Sequence, residues 1–185
     1  EALNLEDIST DGRFLLFNFA RSQAEPHLAL LSLNGERRRA PYLTPQLRED
    51  SGRFSPNGRW IAYRSVEKDG TRIFVQRFTL AGVDSGGKWQ ISDRGGTQPQ
   101  WRGDGKELFY LEGNTLTAVE VNTEDASFSA GTPKPLFSVN IEAEQRRNRY
   151  IATKDGQRFL VVLRAPTAIE TTIAVQVNWP AALKQ

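Results

Sequence analysis

Short apolar runs and polar turns alternate along the chain, and the same order of turn and run occurs four times. Each copy begins with an Asp-Gly or Asn-Gly pair, continues with a polar residue, and is apolar at the third, fourth and fifth positions after the glycine. The glycines, 46, 47 and 51 residues apart, are Gly12, Gly58, Gly105 and Gly156. Because glycine reaches positive φ freely and Asn or Asp tolerates it, each pair predicts a hairpin turn that leads into a buried strand.

Further strands accompany these turns, either as continuous apolar runs or with alternating apolar and polar residues. An innermost strand is predicted before each glycine, over residues 4–8, 50–55, 97–102 and 149–153. A second strand is predicted after the turn strand, over residues 28–33, 73–78, 116–121 and 173–177. An outer strand closes only the first three copies, over residues 39–44, 88–92 and 135–139. No long apolar stripe of helical period occurs, so the sequence predicts an all-β chain.

A repeat of this length that is built from short strands predicts a β-propeller, with about four blades of mostly four antiparallel strands. The predicted blades are residues 1–48, 49–96, 97–141 and 142–185 of a single propeller region. The last blade is a strand short, because residues 178–185 contain a proline and are too few. We therefore expect the carboxy-terminal part of a larger ring. Two copies of the chain could close such a ring, or four blades could close on their own.

Composition narrows the possible functions of this propeller. The chain has 185 residues, 38% of them hydrophobic, and a net charge of +2. No apolar stretch approaches the ~20 residues of a membrane-spanning helix, so we expect no membrane insertion. The absence of cysteine excludes disulfides and thiolate chemistry. Arginine clusters at residues 37–39 and at Arg146, Arg147 and Arg149 are interpreted as solvated edge charges, and no nucleic-acid binding is expected from this region.

Two stretches carry a family resemblance. Residues 55–65, with 73–75 and 87–92, resemble the repeat of TolB-type, WD-repeat-like bacterial β-propellers, and so do residues 95–111. Repeats one and four lack the Ser-Pro that precedes the turn at Asn57. Residues 150–184 are similar to the end of bacterial propellers that follow a serine/threonine kinase domain or a winged-helix domain, or that stand within a TolB-like secreted protein. The resemblance implies a sensory or binding module for a protein partner or small ligand, outside the bacterial inner membrane.

Candidate catalytic chemistry is sparse. His27 is the single histidine, and no Gly-x-Ser-x-Gly motif accompanies it, so we expect no catalytic residue, no metal ligand and no cofactor. Residues 82–88 fit Gly-x4-Gly-Lys, but Trp89 follows where a phosphate-binding loop needs Ser or Thr and a helix. This segment is predicted to be a flexible hairpin loop.

Paired carboxylates and aromatic residues are the remaining candidates. Three pairs of adjacent carboxylates occur: Glu6 and Asp7, Glu49 and Asp50, and Glu124 and Asp125. We expect no neighbouring groups that would shift one pKa of a pair away from the other, so no acid/base pair is predicted. Aromatic residues recur at equivalent repeat positions and are predicted to form the core: Phe54, Trp60, Tyr63, Phe74, Trp89, Trp101 and Tyr110.

Two classes of function stay open. The first is a non-catalytic propeller that binds a protein or a small ligand at one face of the ring. The second is an accessory propeller of an enzyme, either a serine/threonine kinase or a hydrolase of the prolyl-oligopeptidase kind, whose catalytic domain lies outside this chain. The domain encoded just before residue 1 would distinguish them.

Overall fold

A computed structural model describes residues 2–20, 26–35, 39–42, 48–79, 82–124, 127–140, 148–163 and 173–177. Within these ranges the chain forms sixteen strands and no helix, and hence no helix that could span a membrane. The prediction of an all-β chain is confirmed.

The strands form four antiparallel sheets that follow one another in chain order. Sheet 1 contains β1 (Ala2–Ile8), β2 (Phe14–Ala20), β3 (Pro26–Ser32) and β4 (Arg39–Pro41). Sheet 2 contains β5 (Arg48–Phe54), β6 (Trp60–Glu67), β7 (Gly70–Thr79) and β8 (Gly82–Gln90). Sheet 3 contains β9 (Thr97–Trp101), β10 (Glu107–Glu112), β11 (Thr115–Asn122), β12 (Ser129–Ala130) and β13 (Lys134–Ser138). Sheet 4 contains β14 (Tyr150–Ala152), β15 (Arg158–Val162) and β16 (Ile173–Val177).

Neighbours along the chain pair within each sheet, so the first strand of every sheet is an edge strand. In sheet 3 the outer position is shared, because β13 pairs with the first half of β11 and β12 with its end. The four sheets correspond to the four predicted repeats, although the exact blade boundaries and the number of blades in a complete ring stay predictions.

The predicted turns are confirmed, and the same contacts recur in each. The four turn glycines have φ between 68° and 72°. In the first turn the Gly12 amide donates to the Ser9 carbonyl at 2.8 Å, and the Asp11 side chain accepts the Arg13 amide at 3.0 Å. The side chain before each of the other three glycines accepts the second amide after it in the same way. These local bonds fix the entry into β2, β6, β10 and β15.

The glycine-rich segment 82–88 is a strand, which corrects the predicted flexible loop. β8 begins at Gly82 and pairs with β7 at both of its ends, through Gly82 and Val83 and again from Lys88 to Gln90. Residues 84–87 fall in the register shift between Gln76 and Phe78 and have no partner on β7. The first pairs can form because β7 has 10 residues and extends beyond the predicted segment. Gly87 has a φ of 125°, and a Cβ there would lie 2.8 Å from the Trp89 ring. The glycine therefore lets the indole fold back over its own strand.

Three apolar clusters fill the spaces between successive sheets. Sheets 1 and 2 share a cluster that includes Leu16, Tyr42 and Tyr63, and sheets 3 and 4 share one that includes Phe109 and Phe159. The middle cluster contains Trp60 and Leu108, with Trp89 and Trp101 packed against it. Of the seven repeated aromatic residues predicted to form the core, five are buried, and Trp89 and Trp101 are partly buried against the middle cluster.

The outward faces of the first and last sheets are apolar and open. On sheet 1, Leu3 and Leu5 are 56% and 75% exposed, and they pair with Phe19 and Phe17 on β2. On sheet 4, Ile151 pairs directly with Leu160, and both are exposed. Side chains of this kind lie between sheets elsewhere in the molecule. The two ends of the stack therefore have surfaces that match its interior.

Leu108→Ala tests the packing between sheets 2 and 3. The side chain is fully buried, so its truncation should lower the free energy of unfolding by about 2–5 kcal/mol. Leu160→Ala is the matched control, because Leu160 is 40% exposed and should lose well under half as much. Urea unfolding at low protein concentration, followed by tryptophan fluorescence, measures both. Equal losses in the two variants would contradict the described arrangement of the sheets.

Candidate binding site on the inner strands

The edge strands β1, β5, β9 and β14 bring one repeat position from every sheet to a common cavity. The residues five positions before the turn glycines are Asp7, Arg53, Gln100 and Ile151, and all four line a cavity of about 350 Å³. The rest of its lining consists of Glu6, Phe54, Pro56, Trp101 and Asn148. The first strands of the four sheets therefore converge on one side of the molecule.

Glu6 and Asp7 connect sheet 1 to the edge of sheet 2. A register shift between Leu5 and Asp7 interrupts the pairing of β1 with β2, and both carboxylates bond to the backbone of β5. Glu6 Oε1 accepts the Ser51 amide at 3.1 Å, and Asp7 Oδ2 accepts the Phe54 amide at 2.9 Å. A bulge that redirects consecutive side chains in this way is a common device at sheet edges.

Arg53 supplies the positive charge of the cavity. Its Nη1 lies 3.5 Å from Glu6 Oε2 and donates to the backbone carbonyls of Glu6 and Gly52. Burial raises the pKa of Glu6, while Arg53 and the Ser51 amide oppose that rise. Burial likewise raises the pKa of Asp7, against the bonds from the Phe54 and Ile8 amides. Each carboxylate is thus held by donors in a partly desolvated setting.

Two glutamines make the corresponding connection between sheets 3 and 4. Gln98 Oε1 accepts the Arg149 amide at 2.6 Å, and Gln100 Oε1 accepts the Ala152 amide at 3.1 Å. Gln100 also donates to the Tyr150 carbonyl. Both glutamine side chains therefore accept hydrogen bonds from the backbone at the next edge strand, as the carboxylates of Glu6 and Asp7 do between sheets 1 and 2.

The inner strands of sheets 2 and 3 share a backbone feature that the sequence analysis missed. Ser51 and Gln98 both have a φ of 56°, and each lies seven residues before its turn glycine. Non-glycine residues seldom adopt this region, and here each coincides with a register shift in the pairing of its strand. Neither residue is glycine or asparagine, so composition gives no signal. Their equal spacing from the turn is the one available clue.

Glu49 and Asp50 lie in different surroundings, and the expectation that no neighbouring group shifts a pKa at this pair is wrong for Glu49. Asp50 forms a buried ion pair with Arg64, whose Nε lies 2.6 Å from Asp50 Oδ1. Glu49 is 2% exposed, and burial raises its pKa to about 8, with Lys88 opposing the rise and Glu67 adding to it. The two side chains differ because consecutive strand residues point to opposite faces of a sheet.

The other sequence candidates do not join this site. His27 lies on β3, half-buried, with its ring 5.8 Å from that of Phe19. Arg39 is exposed, and its guanidinium lies 5.3 Å from the centre of the Phe17 ring. Glu124 is exposed on the outer side of sheet 3, where it lines a different cavity. Residues 37, 38, 125, 146 and 147 lie outside the described residues, and so does the predicted segment 178–185.

Solved structures with the same architecture include TolB from Acinetobacter baumannii, with a TM-score of 0.64 and 15% identity over 96% of this chain and 41% of that chain. A TolB candidate from Agrobacterium tumefaciens has a TM-score of 0.58 and 16% identity over 75% of this chain and 50% of that one. A prolyl endopeptidase has a TM-score of 0.50 and 12% identity over 96% of this chain and 29% of that one.

Identities this low establish the fold alone, and the fold is a TolB-like β-propeller, as predicted. The chain spans half the length of these propeller proteins or less. No protein-family model matches the sequence, and no curated protein matches it.

Glu49→Gln should change how stability depends on pH. In the folded chain the carboxyl holds its proton up to a pKa of about 8, whereas in the unfolded chain it releases the proton near the ordinary value of 4.5. The wild-type free energy of unfolding therefore falls as pH rises between these values. The variant carries no such titration, so it should gain stability relative to wild type from pH 5 to pH 9.

Urea unfolding at several pH values between these limits measures that difference, and the surface variant Glu124→Gln is the control. The profile of Glu124→Gln should run parallel to wild type because its side chain is exposed. Parallel profiles for wild type and Glu49→Gln would show that Glu49 is not buried in the folded chain.

Proposed function

We propose that the chain is a non-catalytic propeller module that binds a segment of a partner protein at the inner-strand cavity. The observation that carries the proposal is the convergence of Asp7, Arg53, Gln100 and Ile151, one from each sheet, on one cavity. These four positions are equivalent in the repeat but carry four different side chains. The surface that they form is therefore asymmetric, although the sheets that hold it repeat one another. An asymmetric surface can distinguish one orientation of a bound segment from the other.

The chemistry of the cavity favours a segment with both charged and apolar side chains. Asp7, Glu6 and Arg53 bring both signs of charge, while Trp101 and Ile151 offer apolar area beside them. Aromatic side chains next to a guanidinium are typical of the energetically important part of a protein interface. A small ligand at the same cavity is the alternative within this class of function.

The module is proposed to belong to a larger bacterial protein and to act outside the inner membrane, on the strength of its resemblance to secreted and membrane-tethered propellers. Attachment to a kinase or a winged-helix regulator fits the same resemblance. Fractionation of the producing cells, with the chain detected by antibody, tests the location. Recovery in the cytoplasmic fraction alone would contradict the proposed location.

A second candidate is an accessory propeller of a hydrolase. The observation in its favour is the similarity in fold to a prolyl endopeptidase, which extends over 96% of this chain. The gene sequence upstream of residue 1 distinguishes the two candidates. A hydrolase domain with a nucleophilic serine on a strand-to-helix turn would favour the accessory role over the independent binding module.

Peptide selection tests the inner-strand cavity directly. Peptides selected from a displayed library on the wild-type chain should lose at least tenfold in affinity when Ile151, which is 59% exposed at the cavity, is changed to Asp. Leu160→Asp is the matched control, since Leu160 pairs with Ile151 on the same face but does not line the cavity. An equal loss of peptide affinity in both variants would show that the peptides bind to the outward face of sheet 4 and not to the cavity.

We also propose that two copies of the chain pair through the open faces of sheets 1 and 4 to continue the ring. These faces expose Leu3, Leu5, Ile151 and Leu160, and they are of the kind that packs against another sheet inside the molecule. A repeat architecture normally covers its terminal faces, because each repeat buries its apolar side on a neighbour.

Sedimentation equilibrium should show a concentration-dependent dimer. Leu5→Glu and Leu160→Glu should each shift it toward monomer, because a buried carboxylate without a partner opposes association. The exposed Lys134→Glu on sheet 3 should leave the equilibrium unchanged. A strict monomer at high micromolar concentration would exclude the paired ring.

A further inference from the structure

A second cavity lies beside sheet 3 and the connection that joins it to sheet 2, away from the inner strands. It has a volume of about 390 Å³, within the range of pockets that bind small molecules. The connection from β8 to β9 contributes Asp93 and Arg94, and the β10–β11 hairpin contributes Tyr110, Glu112 and Thr117. None of the residues that line it also lines the inner-strand cavity. It is therefore a separate candidate site, named here the Tyr110 groove.

Tyr110 and Thr117 are among the residues that line this groove, and their hydroxyl groups are buried beside it. They are direct cross-strand partners on β10 and β11, so their side chains lie side by side on the face of sheet 3 that packs toward sheet 2. Tyr110 is 0% exposed and Thr117 is 2% exposed, and neither hydroxyl has a hydrogen-bond partner within the described part of the chain. Buried polar groups nearly always have a partner, so an adjacent pair without one needs an explanation.

The other tyrosines show that Tyr110 is an exception in this chain. All four tyrosines of the sequence are buried. Tyr42 donates to the Arg77 carbonyl at 3.2 Å, Tyr63 to Gln76 Oε1 at 3.0 Å and Tyr150 to the Gln98 carbonyl at 2.9 Å. Tyr63 lies at the same repeat position as Tyr110, five residues after the turn glycine. The hydroxyl at this repeat position therefore has a partner in sheet 2, whereas in sheet 3 it has none within the described residues and lies beside a cavity.

Charges around the groove restrict the class of ligand. Burial, with the carboxylates of Glu112 and Asp93, raises the pKa of Tyr110, so its hydroxyl stays neutral and can both donate and accept. Two carboxylates beside Arg94 disfavour an anion, and an apolar ligand would leave both hydroxyls unpaired. No cluster of three or more metal-ligating side chains occurs within the described ranges, which gives a cation little support. A neutral ligand that carries several hydroxyl groups remains.

We propose that the Tyr110 groove binds a neutral carbohydrate of one or two sugar rings. Sugar hydroxyls donate to Asp93 and Glu112, accept from Arg94, and exchange hydrogen bonds with Tyr110 and Thr117. Pro133 and Pro135, which complete one wall, offer apolar area for the C–H face of a sugar ring. This site is independent of the protein-binding role proposed for the inner strands.

Titration with monosaccharides and disaccharides, followed by saturation-transfer NMR and calorimetry, tests the proposal on the full chain. Glucose, galactose, mannose, N-acetylglucosamine and their common disaccharides are the probes. At least one should bind saturably, and Tyr110→Phe and Thr117→Val should each weaken that binding about tenfold or more. Each substitution removes a hydroxyl that has no protein partner, so the variants should melt at or above the wild-type temperature.

Tyr63→Phe is the matched control. It removes a hydroxyl that is bonded to Gln76, so it should lower the melting temperature and leave sugar affinity unchanged. Absence of saturable binding across the panel would overturn the proposal, and so would binding that Tyr110→Phe leaves intact. Lowered stability of Tyr110→Phe without any sugar binding would mean that ordered water alone satisfies the hydroxyl, and would also overturn the proposal. Saturable binding of Ca²⁺ that is lost in Glu112→Gln would also overturn the proposal, because it would show that the groove is a cation site.

Discussion

The backbone of the inner edge strands is the constraint around which the rest of this structure is arranged. Each sheet has its first strand at an edge, where amide and carbonyl groups face away from the ladder and need partners. Side chains of the neighbouring sheets supply some of them. The carboxylates of Glu6 and Asp7 accept hydrogen bonds from backbone amides of β5. The side-chain oxygens of Gln98 and Gln100 likewise accept backbone amides just before and within β14. Between sheets 2 and 3, the Trp101 indole donates to the Arg53 carbonyl at 3.1 Å.

This arrangement explains why charged residues lie where the protein is partly desolvated. Removal of a carboxylate from water raises its pKa, and the structure retains Glu6 and Asp7 as acceptors because backbone amides and Arg53 offset that cost. Glu49 is more deeply buried than either residue and has no comparable set of donors within the described part of the chain, so the pKa of its carboxyl rises to about 8. Side chains that hold one edge strand to the next also define the inner-strand cavity. Its polar character therefore follows from the way in which the sheets are joined.

The elements that the sequence predicts correctly are those fixed by neighbours along the chain. An Asp-Gly or Asn-Gly pair makes its turn through bonds within a few residues, so the four glycines indicate the turns and the buried strands that follow. The prediction of a loop over residues 82–88 was wrong because the segment starts with two residues that pair with β7 and ends at Lys88, which pairs with it again, and local composition does not reveal this pairing. The surroundings of Glu49 come from Lys88, Glu67 and Tyr63 on other strands, so its pKa could not be inferred from Asp50 beside it.

Function in a repeat protein is best sought where equivalent positions stop being equivalent. The fold imposes the same turn and the same edge strand on each sheet, and sheets 1 to 3 share a buried aromatic residue five positions after the turn glycine. Residues that agree across the copies therefore reflect the requirements of the fold. Asp7, Arg53, Gln100 and Ile151 occupy one position with four chemistries, and they meet at one cavity. Tyr63 and Tyr110 occupy another position with one chemistry, yet only the hydroxyl of Tyr63 has a partner within the described residues. Both departures lie beside cavities, and these cavities are the two places where we propose that ligands bind.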